Sequence, residues 1–330
     1  MPDNEQPDDA EIERAVSALR AGELVAFPTE TVYGLGADAA NADAVRRLYL
    51  VKGRPPRHPV IVHIARSDQL DELGRDVPDD ARLLADAFWP GPLTIVVRRD
   101  HARVVPEVTG GLDTVGLRVP DHPVALELLE SFGGGVAAPS ANRFGRVSPT
   151  TAAHVRADLG DDVRIVLDGG ACRVGVESTI VDVTGAEPAI LRVGGVSRGE
   201  VERVIGRVCA SRTSGEAAAP GTLASHYAPR AEVELVDAAA AAARAAVILA
   251  RSERVGLLAS APVPADLPAP VVVLTAPHDT EEYARVLYSR LREADDLGLD
   301  VLLVVSPSGS DGLGAAVADR VRRAAHPARP

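Results

Sequence analysis

The sequence predicts a two-domain α/β protein, and three observations carry that expectation. A chain of 330 residues exceeds what one hydrophobic core usually gathers. As far as Arg207, short apolar runs and amphipathic stretches mix without strict βαβ alternation. That fits a mixed, twisted sheet with helices around a concave pocket better than a doubly wound one. Beyond Ser211–Pro220, a Ser/Ala/Gly-rich stretch with no apolar periodicity, strands and helices resume as in a small Rossmann-like α/β domain. The expected division is a disordered tail at 1–10, a first domain at 11–207, a linker at 208–231 and a second domain at 232–330.

Taken in order, residues 11–21 place Ile12, Val16 and Leu19 at helical spacing. Glu23–Phe27 is a short strand, and Pro28–Gly36 is the loop that follows it. Asn41 or Asp43 caps a helix running to about Val51. Val60–Ile64 is a strand, and a helix begins at Asp79 or Asp80. It ends at Trp89-Pro90-Gly91-Pro92, where two prolines forbid continuation. Strands follow at Leu93–Val97 and Val115–Val119, then a helix at Pro123–Leu129. Val136–Ala138, Ile165–Leu167, Ser178–Val183 and Ala189–Val193 complete the first set of strands. In the second domain, strands are expected at Glu232–Val236, Val247–Leu249, Val255–Leu258, Val271–Leu274 and Val301–Val305. Helices are expected at Thr280–Ala294 and Leu313–Ala325, and Ala238–Ala246 is a good helix former.

Composition narrows the function classes. A net charge of −12 argues against non-specific coating of nucleic acid, which rests on neutralising phosphates, and no stable nucleic-acid binding is expected. No apolar run is long enough to cross a membrane. The acidic, Pro-containing N-terminus lacks the basic and apolar regions of a signal peptide, so a cytoplasmic protein is expected. Two cysteines, Cys172 and Cys209, are too few for a disulfide framework or a cysteine-based metal site. Of the 35 basic side chains, Lys52 alone is lysine. A single lysine in an arginine background suggests a place that needs a compact ammonium and not a planar guanidinium.

Four clusters at strand ends combine polar groups with glycine or proline. In Pro28–Gly36, Thr29, Glu30, Thr31 and Tyr33 share a loop with two glycines. The nearby G-x-G-x-x-A match is too weakly placed for a dinucleotide site, and no organic cofactor is expected. The second cluster, Lys52-Gly53-Arg54-Pro55-Pro56-Arg57-His58, holds mutually repulsive cations that a polyphosphate would relieve, or else is a solvated loop; His63 follows it on a strand, as a site residue or a core histidine. The third is Thr114–Arg118. An arginine inside an apolar strand needs a carboxylate, from a substrate or from the protein itself. The fourth gathers Ser140, Ala141 and Asn142, then Ser148, Ser178 and Arg192, a set suited to ribose, phosphate and carboxylate oxygens. No G-x-S-x-G elbow, P-loop or metal-ligand spacing is present.

These clusters, in this order, resemble the YrdC-like family of threonylcarbamoyl-AMP synthases. The matching segments are PTETVYGLG, KGRPPRHPVIVHI, WPGPLTIVV, TVGLRVPDHP, APSAN, GRVSPT, CRVGVESTIVD and LRVGGVS, within residues 22–198. Pro220-Gly221 and His226-Tyr227-Ala228-Pro229 look like the linker of the family's longer, two-domain members. The resemblance implies a reaction of L-threonine, bicarbonate and ATP to threonylcarbamoyl-AMP and pyrophosphate. The product would pass to a tRNA threonylcarbamoyltransferase complex that modifies adenosine beside the anticodon. It implies that Lys52, Arg54, Ser140 and Asn142 form the catalytic signature. Thr31, His63, Arg118, Ala138 and Ser178 would bind threonine. Arg54, His58, Thr114, Ser140, Ser148, Arg192, His226 and Tyr227 would bind ATP, the last two as a lid. Mg²⁺ would arrive with ATP, held by its phosphates. Two departures weaken the carry-over locally. Ala219 and Ser225 replace a serine and a lysine of many relatives' linkers, and Val193 replaces a proline after Arg192.

Residue chemistry agrees with that activity. Attack of an amine on bicarbonate, then of the carbamate on the α-phosphate, requires no protein nucleophile; positioning and charge neutralisation carry it. Two other readings use the same residues: an RNA-binding module with a concave basic surface, and a carbamoyl-adenylate-forming domain for another substrate. The acidic total and 3% aromatic content weigh against the first. The absence of cysteines for a zinc finger weighs against a hydrogenase-maturation version of the second.

Overall fold

The chain enters its first helix, α1 (Asp9–Arg20), through a capping box in which Asp8 accepts from Glu11 N–H and Glu11 reaches back to Asp8 N–H. The helix therefore starts two residues earlier than its apolar spacing suggested, and takes up the end of the expected tail. The computed structural model describes residues 6–211, 227–307 and 312–326. Chain contacts divide it into two units, Met1–Phe144 with Ser148–Thr222, and Gly145–Val147 with Leu223–Pro330.

The first unit is built on an eleven-stranded mixed sheet. Its strands are β1 (Val25–Phe27), β2 (Gly34–Asp38), β3 (Val62–His63), β4 (Gly74–Arg75), β5 (Leu93–Arg99), β6 (Thr114–Arg118), β7 (Val136–Ala137), β8 (Ile165–Val166), β9 (Thr179–Asp182), β10 (Ala189–Arg192) and β11 (Ala210–Ser211). They run in the order β11-β10-β9-β5-β6-β3-β7-β2-β1-β8, with β4 paired to β5. Parallel pairs (β3 with β6, β5 with β9) alternate with antiparallel ones, as the lack of strict βαβ alternation predicts. Around the sheet lie α2 (Ala42–Lys52), α3 (Gln69–Leu73), α4 (Asp79–Phe88), α5 (Pro106–Thr109), α6 (Pro123–Phe132), α7 (Ala152–Leu159) and α8 (Arg198–Ile205). The core fills the sheet's faces with Leu35, Val62, Ile95, Leu117 and Val181, all at or near full burial.

The second unit carries β12 (Glu232–Leu235), β13 (Val255–Leu258), β14 (Val272–Val273) and β15 (Val301–Val304), with α9 (Ala241–Leu249), α10 (Thr280–Asp296) and α11 (Gly312–Ala324). Its strand order is β12-β15-β13-β14 and every pair is parallel, in keeping with the Rossmann-like expectation. β13 and β15 are buried at every position, as parallel strands covered on both faces should be.

Several elements differ from the sequence reading. Gly34–Asp38, whose first three residues are expected within the Pro28–Gly36 loop, is a strand paired antiparallel to β1 and β7; its two glycines have low strand propensity, and tertiary pairing overrides that. Val247–Leu249, expected as a strand, is the last turn of α9. The alanine run nucleates a helix that carries through the apolar triplet, and a short apolar run alone does not distinguish the two states. Ala210–Ser211 lies in the expected linker but pairs with β10. Apolar spacing announces neither α7 nor α8, although α8 carries a Ser197/Glu200 capping box. The linker residues Ala219, Pro220, Gly221, Ser225 and His226 lie outside the described residues.

Candidate functional site

Neighbouring strands bring the clusters together. β3 lies between β6 and β7, so His63 is in register with Arg118 on one side and with Val136 on the other. Ala138 continues past β7, its N–H bonded to Ile61 C=O at 2.9 Å. The loop after it is laced to the loop after β1. Leu35 N–H meets Pro139 C=O, Ala141 N–H meets Tyr33 C=O, and Tyr33 N–H meets Pro149 C=O, all at 2.8–2.9 Å. Thus Thr31, Ser140, Asn142 and Ser148, remote in sequence, sit on loops that hold one another.

Lys52 is the last residue of α2, which ends because Gly53 adopts a left-handed conformation, φ +64°, favoured by glycine. Its side chain is buried and Nζ donates to the carbonyls of both Ser140 and Asn142. One ammonium thereby fastens the cationic loop to the Ser140–Asn142 loop. Burial first, then the Arg54 charge, pushes the Lys52 amine well below the usual lysine range. Phe144 N–H returns to Lys52 C=O at 2.8 Å. Arg54 is also buried. It donates through Nε to His58 C=O at 3.3 Å and through Nη2 to Pro59 C=O at 2.9 Å, with its guanidinium 5.8 Å from the Phe144 ring centre. The His58 ring meets the same phenyl edge-on at 5.7 Å, and burial followed by Arg54 lowers its pKa. Arg57, the third cation of the loop, is exposed, so the cluster splits into two inward charges and one solvated one.

Arg118 has an internal carboxylate partner. Its Nη2 lies 2.7 Å from Glu30 Oε1, and both residues are at most 3% exposed. Nη1 donates to Thr31 Oγ1 at 3.0 Å and Nε to Gly91 C=O at 3.1 Å. Thr31 Oγ1 is in turn 2.9 Å from Thr29 Oγ1. His63 is buried, packed edge-on against Phe27 at 5.8 Å, with Nδ1 lacking a hydrogen-bond partner. Burial, then the adjacent Arg118 charge, pushes its pKa down to about 3, so the ring is neutral and adds no repulsion to the guanidinium.

On the other side of the sheet's centre, Ser178 precedes β9 and Arg192 ends β10. Arg192 donates through Nε to Ser178 C=O and through Nη2 to Ser178 Oγ, both at 3.0 Å, while Thr94 Oγ1 lies 2.8 Å from the same hydroxyl. Gly194 lets the chain pass close by: a Cβ there would lie 2.3 Å from Thr179 N and 2.4 Å from Glu177 O. Ser148 Oγ donates to Glu177 Oε1 at 2.8 Å. Thr114 stands at the opposite end of β6 from Arg118, ~13 Å along the strand. Tyr227 belongs to the second unit, where its ring stacks on Tyr288 at 5.4 Å and lies 5.6 Å from the Arg320 guanidinium.

The sequence reading gave no role to Glu30, Thr94 or Glu177, the groups that hold Arg118, Ser178 and Ser148. Glu30 and Glu177 lie inside motifs already singled out, PTET and GVEST. Their signal is a carboxylate beside a candidate hydroxyl, in a chain whose fixed cations need partners. An open cleft of about 750 Å³, lined by Arg156, Gly160, Asp161, Val163, Arg164 and Val166, includes none of the expected site residues. Cys172 is buried and its thiol pushed up, chiefly by burial, which makes it a poor nucleophile. Among the described residues, no group of three His, Cys, Asp or Glu side chains is placed to hold a metal ion, and no helix is long and apolar enough to cross a membrane.

A family model described as "Telomere recombination" matches residues 17–194, and one described as "Threonylcarbamoyl-AMP synthase, C-terminal domain" matches residues 196–326. A threonylcarbamoyl-AMP synthase of Pyrococcus abyssi is 42% identical to this chain, covering 97% of it and 95% of the relative. One from Bacillus subtilis is 38% identical, covering 96% and 93%. The crystal structure of P. abyssi Sua5 complexed with L-threonine is similar over 97% of this chain and 96% of that one, with a TM-score of 0.90 at 42% identity.

Proposed function

We propose that this chain, which belongs to the threonylcarbamoyl-AMP synthase family, makes threonylcarbamoyl-AMP from L-threonine, bicarbonate and ATP. The observation that carries the reading is the buried Lys52 ammonium bonded to the carbonyls of Ser140 and Asn142, which joins the cationic loop and the hydroxyl-amide loop into one site. With phosphate beside it the charged form of the Lys52 amine is favoured, and that form has a third N–H, beyond the two given to these carbonyls, for a ligand oxygen.

The neutral threonine amine attacks the carbon of bicarbonate and water leaves, giving a carbamate. A carbamate oxygen then attacks the α-phosphorus, and the bond to the β-phosphate oxygen breaks to release pyrophosphate. This is a nucleotidyl transfer. Lys52 and Arg54 neutralise phosphate charge as it develops. Arg118 takes the threonine carboxylate, beside Thr31, neutral His63, Ala138 and Ser178. His58, Thr114, Ser140, Ser148 and Arg192 hold the nucleotide, with Asn142 completing the loop under Lys52. Mg²⁺ enters as part of the ATP substrate. The P. abyssi relative's complex with L-threonine supports threonine as the amino acid. The mixed anhydride is labile, and a cytoplasmic transferase that modifies tRNA adenosine is the proposed consumer.

The test incubates the protein with Mg²⁺–ATP, bicarbonate and single amino acids. Pyrophosphate release that requires both threonine and bicarbonate is expected. Release that persists without either refutes the proposal.

A further inference from the structure

Glu30 plays no part in the chemistry proposed above, yet it is a carboxylate only 2% exposed, with neither oxygen in good hydrogen-bond geometry. A buried ion pair is weak support for stability, because desolvation of both charges offsets most of their attraction. Its placement suggests a different task. Glu30 and Thr31 are adjacent and grip the same guanidinium: Arg118 Nη2 faces Glu30 Oε1 at 2.7 Å and Nη1 donates to Thr31 Oγ1 at 3.0 Å. The backbone beneath them is pinned, since Val174 N–H donates to Glu30 C=O at 2.7 Å. Gly91 C=O takes the Nε–H from the third side. The remaining guanidinium N–H groups then keep one direction in which to meet a planar acceptor.

We infer that Glu30 is a positioning residue for substrate binding: it holds Arg118 at the angle at which a threonine carboxylate meets it. This rests on the reading of the site as threonine-activating. Without the Glu30 charge, the guanidinium loses one of its three fixed contacts and spends part of its time on other acceptors. A threonine carboxylate must then reorganise it on binding. ATP, held by other residues, is unaffected.

The experiment compares Glu30→Gln and Glu30→Asp with the wild-type full chain, measuring KM for threonine, KM for ATP and the thermal midpoint. For Glu30→Gln, threonine KM rises at least tenfold while ATP KM stays within twofold. Glu30→Asp keeps the charge on a shorter stem and gives a smaller rise, threefold or more, again without change in ATP KM. If the glutamine variant does not fold, the aspartate variant decides alone. A folded variant whose threonine KM stays within twofold of wild type, or falls, overturns the inference. So does a parallel rise in both KM values, which marks general damage. A wild-type chain that releases no threonine-dependent pyrophosphate refutes the functional reading itself, and this inference with it; an active wild type with indifferent variants refutes only Glu30's role.

Discussion

Both units wrap helices around a sheet, yet they bury charge very differently. In the first, Glu30, Lys52, Arg54, Arg118, Glu177 and Arg192 are all 7% exposed or less. In the second, Arg320 is the one buried charged side chain among the described residues, and β13 and β15 are apolar throughout. A parallel sheet covered on both faces needs nothing more than that. The first unit instead carries desolvated cations at the strand ends and loops, each held by carbonyls, hydroxyls or a carboxylate. Such an arrangement costs folding stability, and preorganised charge in a dry site is what transfer at a phosphate requires. The contrast is between desolvated charge in the first unit and an apolar core in the second.

Replacing Lys52 tests the chemical side of this contrast most severely. Lys52→Arg keeps the charge but cannot place one compact donor against the carbonyls of both Ser140 and Asn142. Threonine-dependent ATP consumption should fall about 1,000-fold, equivalent to ~4 kcal/mol on the barrier. Turnover near wild type would remove the case for a compact ammonium.

In the second unit the corresponding change should act on stability. Arg320 is paired with Asp319 at 2.8 Å, and Asp319 also meets Arg323 at 2.9 Å. Arg320→Met should cost about 3 kcal/mol, read as a lower denaturation midpoint. An unchanged midpoint would mean that this charge is as dispensable as its apolar surroundings suggest.

Gly194→Ala probes the close passage beside Ser178. With backbone atoms 2.3–2.4 Å from the added Cβ, no side-chain rotation relieves the clash. We expect a loss of ~2 kcal/mol in stability and a several-fold fall in activity, through displaced Arg192 and Ser178. Retention of both would show that the strand end shifts freely.

The most gradual effect, spread over several pH units, concerns His63. His63 has a folded pKa of about 3, against an ordinary value of 6.5. Below pH 6.5 the unfolded chain gains a proton that the folded chain refuses. Its contribution to stability is therefore complete above pH 6.5 and is lost as pH falls towards 3, by at most ~1.4 kcal/mol per pH unit. Denaturation of His63→Gln across that window should show a shallower acid limb, and an identical limb would contradict the neutral, buried ring.

What could be read from the sequence follows the range of the interactions involved. Apolar runs such as Val60–Ile64 and Leu93–Val97 announce strands because burial dictates their composition. β2 escaped because its glycines sit between partner strands that local propensity cannot see. The last turn of α9 was misread because three apolar residues fit either state. At the site, Lys52 stands out as the one lysine of the chain, and Ser140 and Asn142 as a hydroxyl and an amide in a loop at a strand end. Their junction does not, since it joins residues about 90 positions apart. Glu30 illustrates the same limit: a carboxylate in a polar loop looks ordinary until the fold sets it against Arg118. From the sequence, that arginine's carboxylate can come from substrate or from protein. The structure supplies one from the protein, Glu30, at 2.7 Å.

If the buried cations serve attack at the α-phosphate, the phosphorus products of turnover must show it. Phosphorus NMR of a reaction containing Mg²⁺–ATP, L-threonine and bicarbonate should show pyrophosphate and an AMP-linked species growing together. Orthophosphate and ADP as the products would place the attack at the γ-phosphate and contradict it.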